Sequence, residues 1–104
     1  MNRGRRWQLH DAVEESGLPH NTRHILQTLL LQADAGSAII PADRMPTVTQ
    51  LAHKTGLRRQ DVGEAVKYAV MKGWLRRERG GGKGNPTRYT VLMPSECVPA
   101  GGTQ

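Results

Sequence analysis

The sequence predicts a small α+β domain in which helices come first and a β-hairpin follows. Three observations lead to this prediction: amphipathic helical spacing up to residue 72, strand-like alternation after Gly73, and a glycine-rich loop between the two predicted strands. A chain of 104 residues has room for one domain with one modest core. We assign residues 1–6 to a basic, disordered arm, 7–93 to the domain and 94–104 to a disordered tail.

Two helices and a short strand are predicted in the first part of the chain. Residues 7–16 have an apolar side and are followed by Gly17, which ends the helix. Residues 21–33 repeat apolar side chains at i, i+3 and i+4, and Asn21 is a candidate N-cap. The β-prone run at 38–40 is expected to be a short strand.

Two further helices are predicted on either side of a tight turn. Thr47 and Gln50 have the spacing of a capping box, which begins a helix of about two turns. Gly56 suits the left-handed conformation that ends such a helix. A second helix over 59–72 has an apolar stripe formed by Val62, Ala65, Val66, Ala69 and Val70. Two short helices joined in this way make a helix-turn-helix.

The predicted hairpin has strands at 74–79 and 87–93 and a loop at 80–86 that contains four glycines. The two tryptophans are interpreted as core anchors: Trp7 and Trp74. For Tyr89 we favour a core position over a contact at the base of the hairpin.

Positive charge is concentrated in one region. The 15 Lys and Arg residues against nine Asp and Glu give a net charge of +6 and a pI near 10.3. Residues 57–93 hold nine basic and three acidic groups, whereas residues 1–56 hold six and five. A regional excess is typical of a surface that binds a polyanion, and a basic surface kept for solubility is the alternative.

The segments that follow one another in the second half are PTVTQLA at 46–52, TGL at 55–57, RQDV at 59–62, VMKGWL at 70–75, GGGKG at 80–84 and TRY at 87–89. Together with the preceding helix, they resemble the winged helix-turn-helix DNA-binding domains of bacterial and phage regulators and replication initiators. The similarity covers about residues 20–93 and implies a three-helix core with a short β-hairpin wing, to which this chain adds an N-terminal helix. Arg58 stands where the family often has Ser or Thr.

The predicted contacts to DNA fall into two groups. The polar side of the 59–72 helix suits the major groove, where Arg reads guanine and Gln reads adenine. We expect base contacts from Arg59, Gln60, Gly63 and Glu64. Contacts to the backbone, including those of the wing, are expected from Arg58, Lys67, Arg76, Arg77, Arg79, Lys83 and Arg88. The alternatives are an ordinary solvated face on the helix and a loop that is basic without function.

The expected function is therefore that of a cytoplasmic protein that binds double-stranded DNA with sequence preference. A small transcriptional regulator or a phage or mobile-element factor fits, because the sequence contains no effector domain. A homodimer or cooperative assembly on DNA is compatible with one module that reads few base pairs, and no membrane partner is expected. Two alternatives remain: a module that binds an acidic protein partner with the same face, and a binder of structured RNA.

No residue pattern predicts catalysis, a metal site or a cofactor. The histidine pair at 20 and 24 has helical spacing without an acidic or thiol ligand nearby in sequence, and Cys97 is the sole cysteine. Gly82-Lys83 lacks the Ser or Thr and the first glycine of a phosphate-binding loop. We do not expect an enzyme.

Overall fold

The structure, a computed structural model, describes residues 4–78 and 87–94. Within these ranges it is an α+β fold of four α-helices and one antiparallel two-stranded hairpin, which confirms the predicted class. The elements, with a 3-10 turn at Ala42–Arg44 before α3, are α1 Arg5–Glu14, α2 His20–Leu31, α3 Val48–Thr55, α4 Arg59–Met71, β1 Leu75–Glu78 and β2 Arg88–Val91. Their order is compatible with a winged helix.

The core surrounds α2, which contacts α1, α3, α4 and β2. The largest fully buried side chains are Leu9, Val13, Ile25, Leu26, Leu29, Leu30, Leu51, Val62, Val66 and Leu75. Burial of each such side chain contributes roughly 1.5–3 kcal/mol. The four α-helices and the hairpin all contribute to this one cluster, so the same core supports the polar faces described below.

The first helix begins earlier than predicted, at Arg5 instead of residue 7. The backbone N–H groups of Arg5 and Arg6 donate to the carbonyl oxygens of Gly36 and Ala35, each at 3.1 Å. A Cβ on Gly4 would lie 2.1 Å from the Ala35 oxygen, so this approach requires glycine. A tertiary contact thus caps the helix, and the prediction of a disordered arm is wrong for Arg5 and Arg6.

Residues 1–3 of that arm lie outside the described residues, as do residues 95–104 of the tail predicted at 94–104. The predicted hairpin loop lies there too: residues 79–86, with Arg79 and Lys83, are not among the described ranges.

The second helix is preceded by Pro19, which occupies the N-cap position without a side-chain hydrogen bond. The interpretation of Asn21 as the cap is therefore wrong, because the helix has already begun at His20. The helix ends at Leu31, two residues before the predicted end.

The predicted strand at 38–40 is a loop instead. The Asp34 carboxylate accepts hydrogen bonds from the N–H groups of Gly36 and Ser37 at 3.0 and 2.9 Å and from the Ser37 hydroxyl at 3.2 Å. These bonds, the backbone bond of Ser37 foremost, hold the pKa of Asp34 below its usual value. Ala38 follows with φ of 62°, which is incompatible with an extended strand.

The three aromatic side chains expected in the core have different outcomes. Tyr89 is buried, and Trp74 is partly buried against the core. Trp7 is 49% exposed, so its interpretation as a core anchor is wrong. The indole packs edge-on against the His10 ring at the surface, with ring centroids 5.6 Å apart.

Candidate nucleic-acid interface

The helix-turn-helix begins at the predicted capping box. The Thr47 hydroxyl accepts a hydrogen bond from the Gln50 N–H at 3.1 Å, and the Gln50 side-chain oxygen accepts one from the Thr47 N–H at 2.9 Å. Two N–H groups that a helix start leaves without partners are thereby satisfied. The capping box predicted from this i, i+3 spacing is confirmed.

The turn between α3 and α4 is fixed by Thr55 and Gly56. The Thr55 hydroxyl donates to the Leu51 carbonyl at 2.7 Å and accepts from the Leu57 N–H at 3.3 Å. Gly56 ends α3 with φ of 78°, the left-handed conformation predicted for it. The direction of α4 relative to α3 is therefore set by local hydrogen bonds as well as by packing.

Helix α4 presents opposite sides to the core and to solvent. Val62, Ala65, Val66 and Ala69 are buried, as their spacing predicts. The polar residues on the other side, which are the exposed Arg59, Gln60, Glu64 and Lys67 and the half-buried Gly63, form one contiguous face. We call the part made by Arg59, Gln60, Gly63 and Lys67 the α4 face. No atom lies within 4 Å of the position that a Cβ on Gly63 would occupy.

Arg58 is the N-cap of α4 and has no side-chain capping bond of the kind that Ser or Thr provides. Its Nε lies 3.2 Å from Oδ2 of Asp61, in the first turn of the same helix. A carboxylate in that turn interacts favourably with the helix dipole. Arg58 thus orients Asp61 with one of its five N–H donors while its side chain stays 82% exposed.

Glu64 lies at the margin of the α4 face. Together with Asp61 and Tyr68 it lines a shallow groove whose other wall is the first turn of α2, formed by Pro19, Asn21 and Thr22. Arg59, Gln60 and Lys67 are exposed cationic or neutral polar side chains, whereas Glu64 adds negative charge at the edge of the face.

The hairpin distributes its predicted cations over both sides. In the antiparallel register, Arg76 is opposite Thr90, Arg77 opposite Tyr89, and Glu78 opposite Arg88. Because side chains alternate along a strand, Arg76 and Arg88 share one side and Arg77 lies on the other, with Tyr89. Arg76, Arg77 and Arg88 are all exposed. Glu78 directly opposite Arg88 forms an opposite-charge cross-strand pair.

Tyr89 joins the hairpin to the helix-turn-helix. Its backbone N–H donates to Sδ of Met45 at 3.4 Å, in the segment before α3, and its side chain is 5% exposed. Burial raises the pKa of the Tyr89 hydroxyl, and the positive charge of Arg77 opposes that shift. Arg77 is therefore held beside a buried aromatic residue at the base of the hairpin.

Sequence reasoning missed a second polar surface on α3. Thr49 and His53 are exposed on the side of the helix away from the buried Leu51, and Lys54 is exposed next to them in the last turn. The signal was present in the sequence, since Val48, Leu51 and Ala52 define the apolar side and leave these positions outward. Lys54 adds positive charge close to the turn that precedes α4.

The described residues contain no group of three or more His, Cys, Asp or Glu side chains arranged to hold a metal ion. The rings of His20 and His24 lie 5.9 Å apart on α2. Over the same ranges of the chain, each helix is too short or too polar to span a bilayer.

Comparison with family models, curated proteins and solved structures finds no match to this chain.

Proposed function

We propose that this chain binds double-stranded DNA with sequence preference, as a small transcriptional regulator or as a DNA-binding factor of a phage or mobile element. The observation that carries the proposal is the α4 face. Arg59 and Gln60 extend from the first turn of the second helix of a helix-turn-helix, and Lys67 continues the same exposed side. In that arrangement the second helix enters the major groove and its N-terminal residues reach base edges.

The residue types of the α4 face support DNA binding more strongly than they support a role in solubility. Arg and Gln are the residue types that make bidentate contacts to guanine and adenine. Gly63 lies between them and Lys67 with open space before it, so the helix backbone can come close to the bases at that point. Glu64, at the margin, is assigned to a cytosine contact or to repulsion of a misplaced phosphate.

Backbone contacts are assigned to cations around this face. Arg58 lies beside it at the N-cap of α4, Lys67 is its C-terminal member, and the exposed Arg76 and Arg88 share one side of the hairpin. Arg77 lies on the other side of the strands and is also exposed, so it is assigned a backbone contact as well. Lys54 at the end of α3 is added as a further phosphate contact, because the first helix of a helix-turn-helix lies across the DNA backbone.

The proposal is tested by selecting a preferred site from random duplexes and measuring the affinity of variants for that site and for an unrelated duplex. Arg59→Ala and Gln60→Ala should each cost roughly 1–3 kcal/mol on the preferred site and much less on the unrelated one. Lys67→Ala and Arg88→Ala should weaken binding to both duplexes alike, because phosphate contacts carry no sequence information.

Lys72→Ala is the matched control, since it removes the same charge from α4 at its C-terminal end, where the ammonium lies 5.6 Å from the centre of the Tyr68 ring. It should lose less affinity than Lys67→Ala. Equal loss of sequence preference from all five variants would contradict the roles given to them. Duplex RNA that competes as well as duplex DNA would favour the RNA alternative, because a helix does not fit the deep, narrow A-form major groove.

A further inference from the structure

The groove between α1 and α2 has two adjoining halves that share Gln27. One half is lined by apolar and basic groups, namely Arg6, Trp7, His10, Leu30 and Leu31. The other half is polar and is lined by Glu14, His20, Arg23 and His24. This groove has no part in the proposed DNA contacts. Its apolar end carries Arg6, whereas its polar end carries the carboxylate of Glu14 together with Arg23.

The apolar half exposes large side chains. Leu31 is 70% exposed and Trp7 is 49% exposed, in a domain whose other leucines on α2 are fully buried. Scattered exposed apolar residues are normal, but these two lie side by side with Leu30 in one concave surface. An aromatic ring beside a leucine in a concave site is typical of an interaction surface.

The charges of α1 oppose its own helix dipole. Arg5 and Arg6 occupy the first turn, whereas Glu14 ends the helix and Glu15 is its C-cap. A helix dipole favours the reverse order, with anions at the start and cations at the end. The Glu14 carboxylate accepts a hydrogen bond from the Gln27 amide, and among the described residues no cation lies within ion-pair distance of it.

On each helix, the residues that line the two halves of the groove are evenly spaced about one central residue, His10 on α1 and Gln27 on α2. His10 stands four residues from Arg6 and four from Glu14, and on α2 Gln27 stands four from Leu31 and four from Arg23. Residues four apart share a helix face. A two-fold axis through the middle of the groove would therefore bring the apolar, basic half of one molecule onto the polar half of another.

We propose that the α1–α2 groove binds a second copy of this chain, with the two α1 helices antiparallel. Arg6 and Glu14 are separated by about 12 Å along the helix, so each Arg6 meets Glu14 of the other copy and both ends pair at once. Trp7 and Leu31 cover the stem of Arg23 and the ring of His24 in the other copy, an arrangement in which an indole face can meet a guanidinium. The contact is self-complementary, as a two-fold interface must be.

This inference does not depend on the proposed function, because the α4 face takes no part in it. The test is sedimentation velocity without DNA, over ~10 µM to ~1 mM protein in reducing, low-salt buffer, so that Cys97 cannot cross-link the chains. The average mass should rise from the 11.5 kDa of one chain toward twice that value. A mass that stays at one chain over the whole range overturns the proposal.

Charge reversal identifies the interface. Arg6→Glu and Glu14→Arg should each sediment as one chain, because both place like charges opposite each other in the homodimer. An equimolar mixture of the two variants should form the dimer again, since every contact between different variants then joins opposite charges. A mixture that remains monomeric while the unmodified chain dimerises would contradict the antiparallel pairing.

A second pair of variants guards against misfolding, because Nη1 of Arg6 also donates to the Ala33 carbonyl at 3.3 Å. Leu31→Gln should reduce the fraction of dimer at least several-fold, while Met71→Gln should leave it unchanged. Met71 is the matched control, being 68% exposed at the end of α4 and outside the groove. Equal effects of these two substitutions would show that the groove is not the interface.

Discussion

The α4 face and the α1–α2 groove are both solvent-facing surfaces on one small core, yet they differ in kind. The α4 face has Arg, Gln and Lys around a glycine, without an exposed apolar side chain among its members. The groove combines Trp7 and Leu31 with Arg6 at one end and with Glu14 and Arg23 at the other. A surface of the first type suits a long polyanion, whereas one of the second type suits a partner that carries the same pattern in reverse.

The two surfaces also differ in the elements that form them and in how the charges of those elements are arranged. The α4 face carries the positive charges of Arg59 and Lys67, and Arg58 is exposed at the N-cap of the same helix. The groove lies between α1 and α2. The charges of α1 are arranged against its own helix dipole, with arginines at its start and glutamates at its end. Net charge alone would therefore have identified the first surface and overlooked the second.

The largest expected effect comes from breaking what the two surfaces share. Leu26→Ala removes a fully buried side chain from α2 and should lower the free energy of unfolding by roughly 2–5 kcal/mol. Chemical denaturation followed by circular dichroism and by tryptophan fluorescence should give one coincident, shifted transition, because all the helices and the hairpin contribute to one core. The exposed Trp7 on α1 and the partly buried Trp74 before β1 report from different parts of the fold. Leu31→Ala is the matched control on the same helix and should shift the transition much less, since Leu31 is exposed. Two separate transitions would contradict a shared core.

A smaller change sharpens the role of the α4 face. Gly63→Ala should stabilise the fold by roughly 0.5–1 kcal/mol, because glycine weakens a helix interior and the added methyl group has open space. The same substitution should weaken DNA binding, since the methyl group projects where the helix approaches the bases.

Thermal unfolding and DNA titration of this one variant decide the matter. Stability and affinity that move in opposite directions cannot result from partial unfolding. A stabilised variant with unchanged DNA affinity would remove Gly63 from the interface.

The smallest expected effect concerns the base of the hairpin. The raised pKa of Tyr89 means that the folded state holds this proton more strongly than the unfolded state does, so the stabilisation is present below pH 10.0 and is lost as pH rises through the folded pKa. Tyr89→Phe should therefore lose less thermal stability than the unmodified chain above pH 10.0. Tyr68→Phe is the control, because that side chain is only half-buried, and it should retain the alkaline loss. Parallel pH profiles for Tyr89→Phe and the unmodified chain would contradict this account.

Features that depend on neighbouring residues could be predicted from the sequence. The Thr47–Gln50 capping box, the left-handed Gly56 and the buried stripe of α4 all follow from spacing over one or two turns. The polar residues opposite that stripe were predicted for the same reason, and their placement on one side of α4 agrees.

Features that depend on distant contacts could not be predicted. The start of α1 is set by carbonyl groups of Ala35 and Gly36, which no local pattern reveals. The run at 38–40 is β-prone but is held in a loop by Asp34. The exposure of Trp7 and the groove around it depend on how α1 packs against α2, so hydrophobicity alone placed that side chain in the wrong environment.

DNA binding by the α4 face and by the cations assigned to the DNA backbone is tested most directly by a titration over a salt series. Fluorescence anisotropy of a labelled mixed-sequence duplex should give an affinity that falls steeply with salt, with a log–log slope of about −4 or more for ~5 neutralised phosphates. Lys67→Ala should reduce that slope by about 1. Absence of binding at low salt would contradict the account and favour a protein partner for the same face.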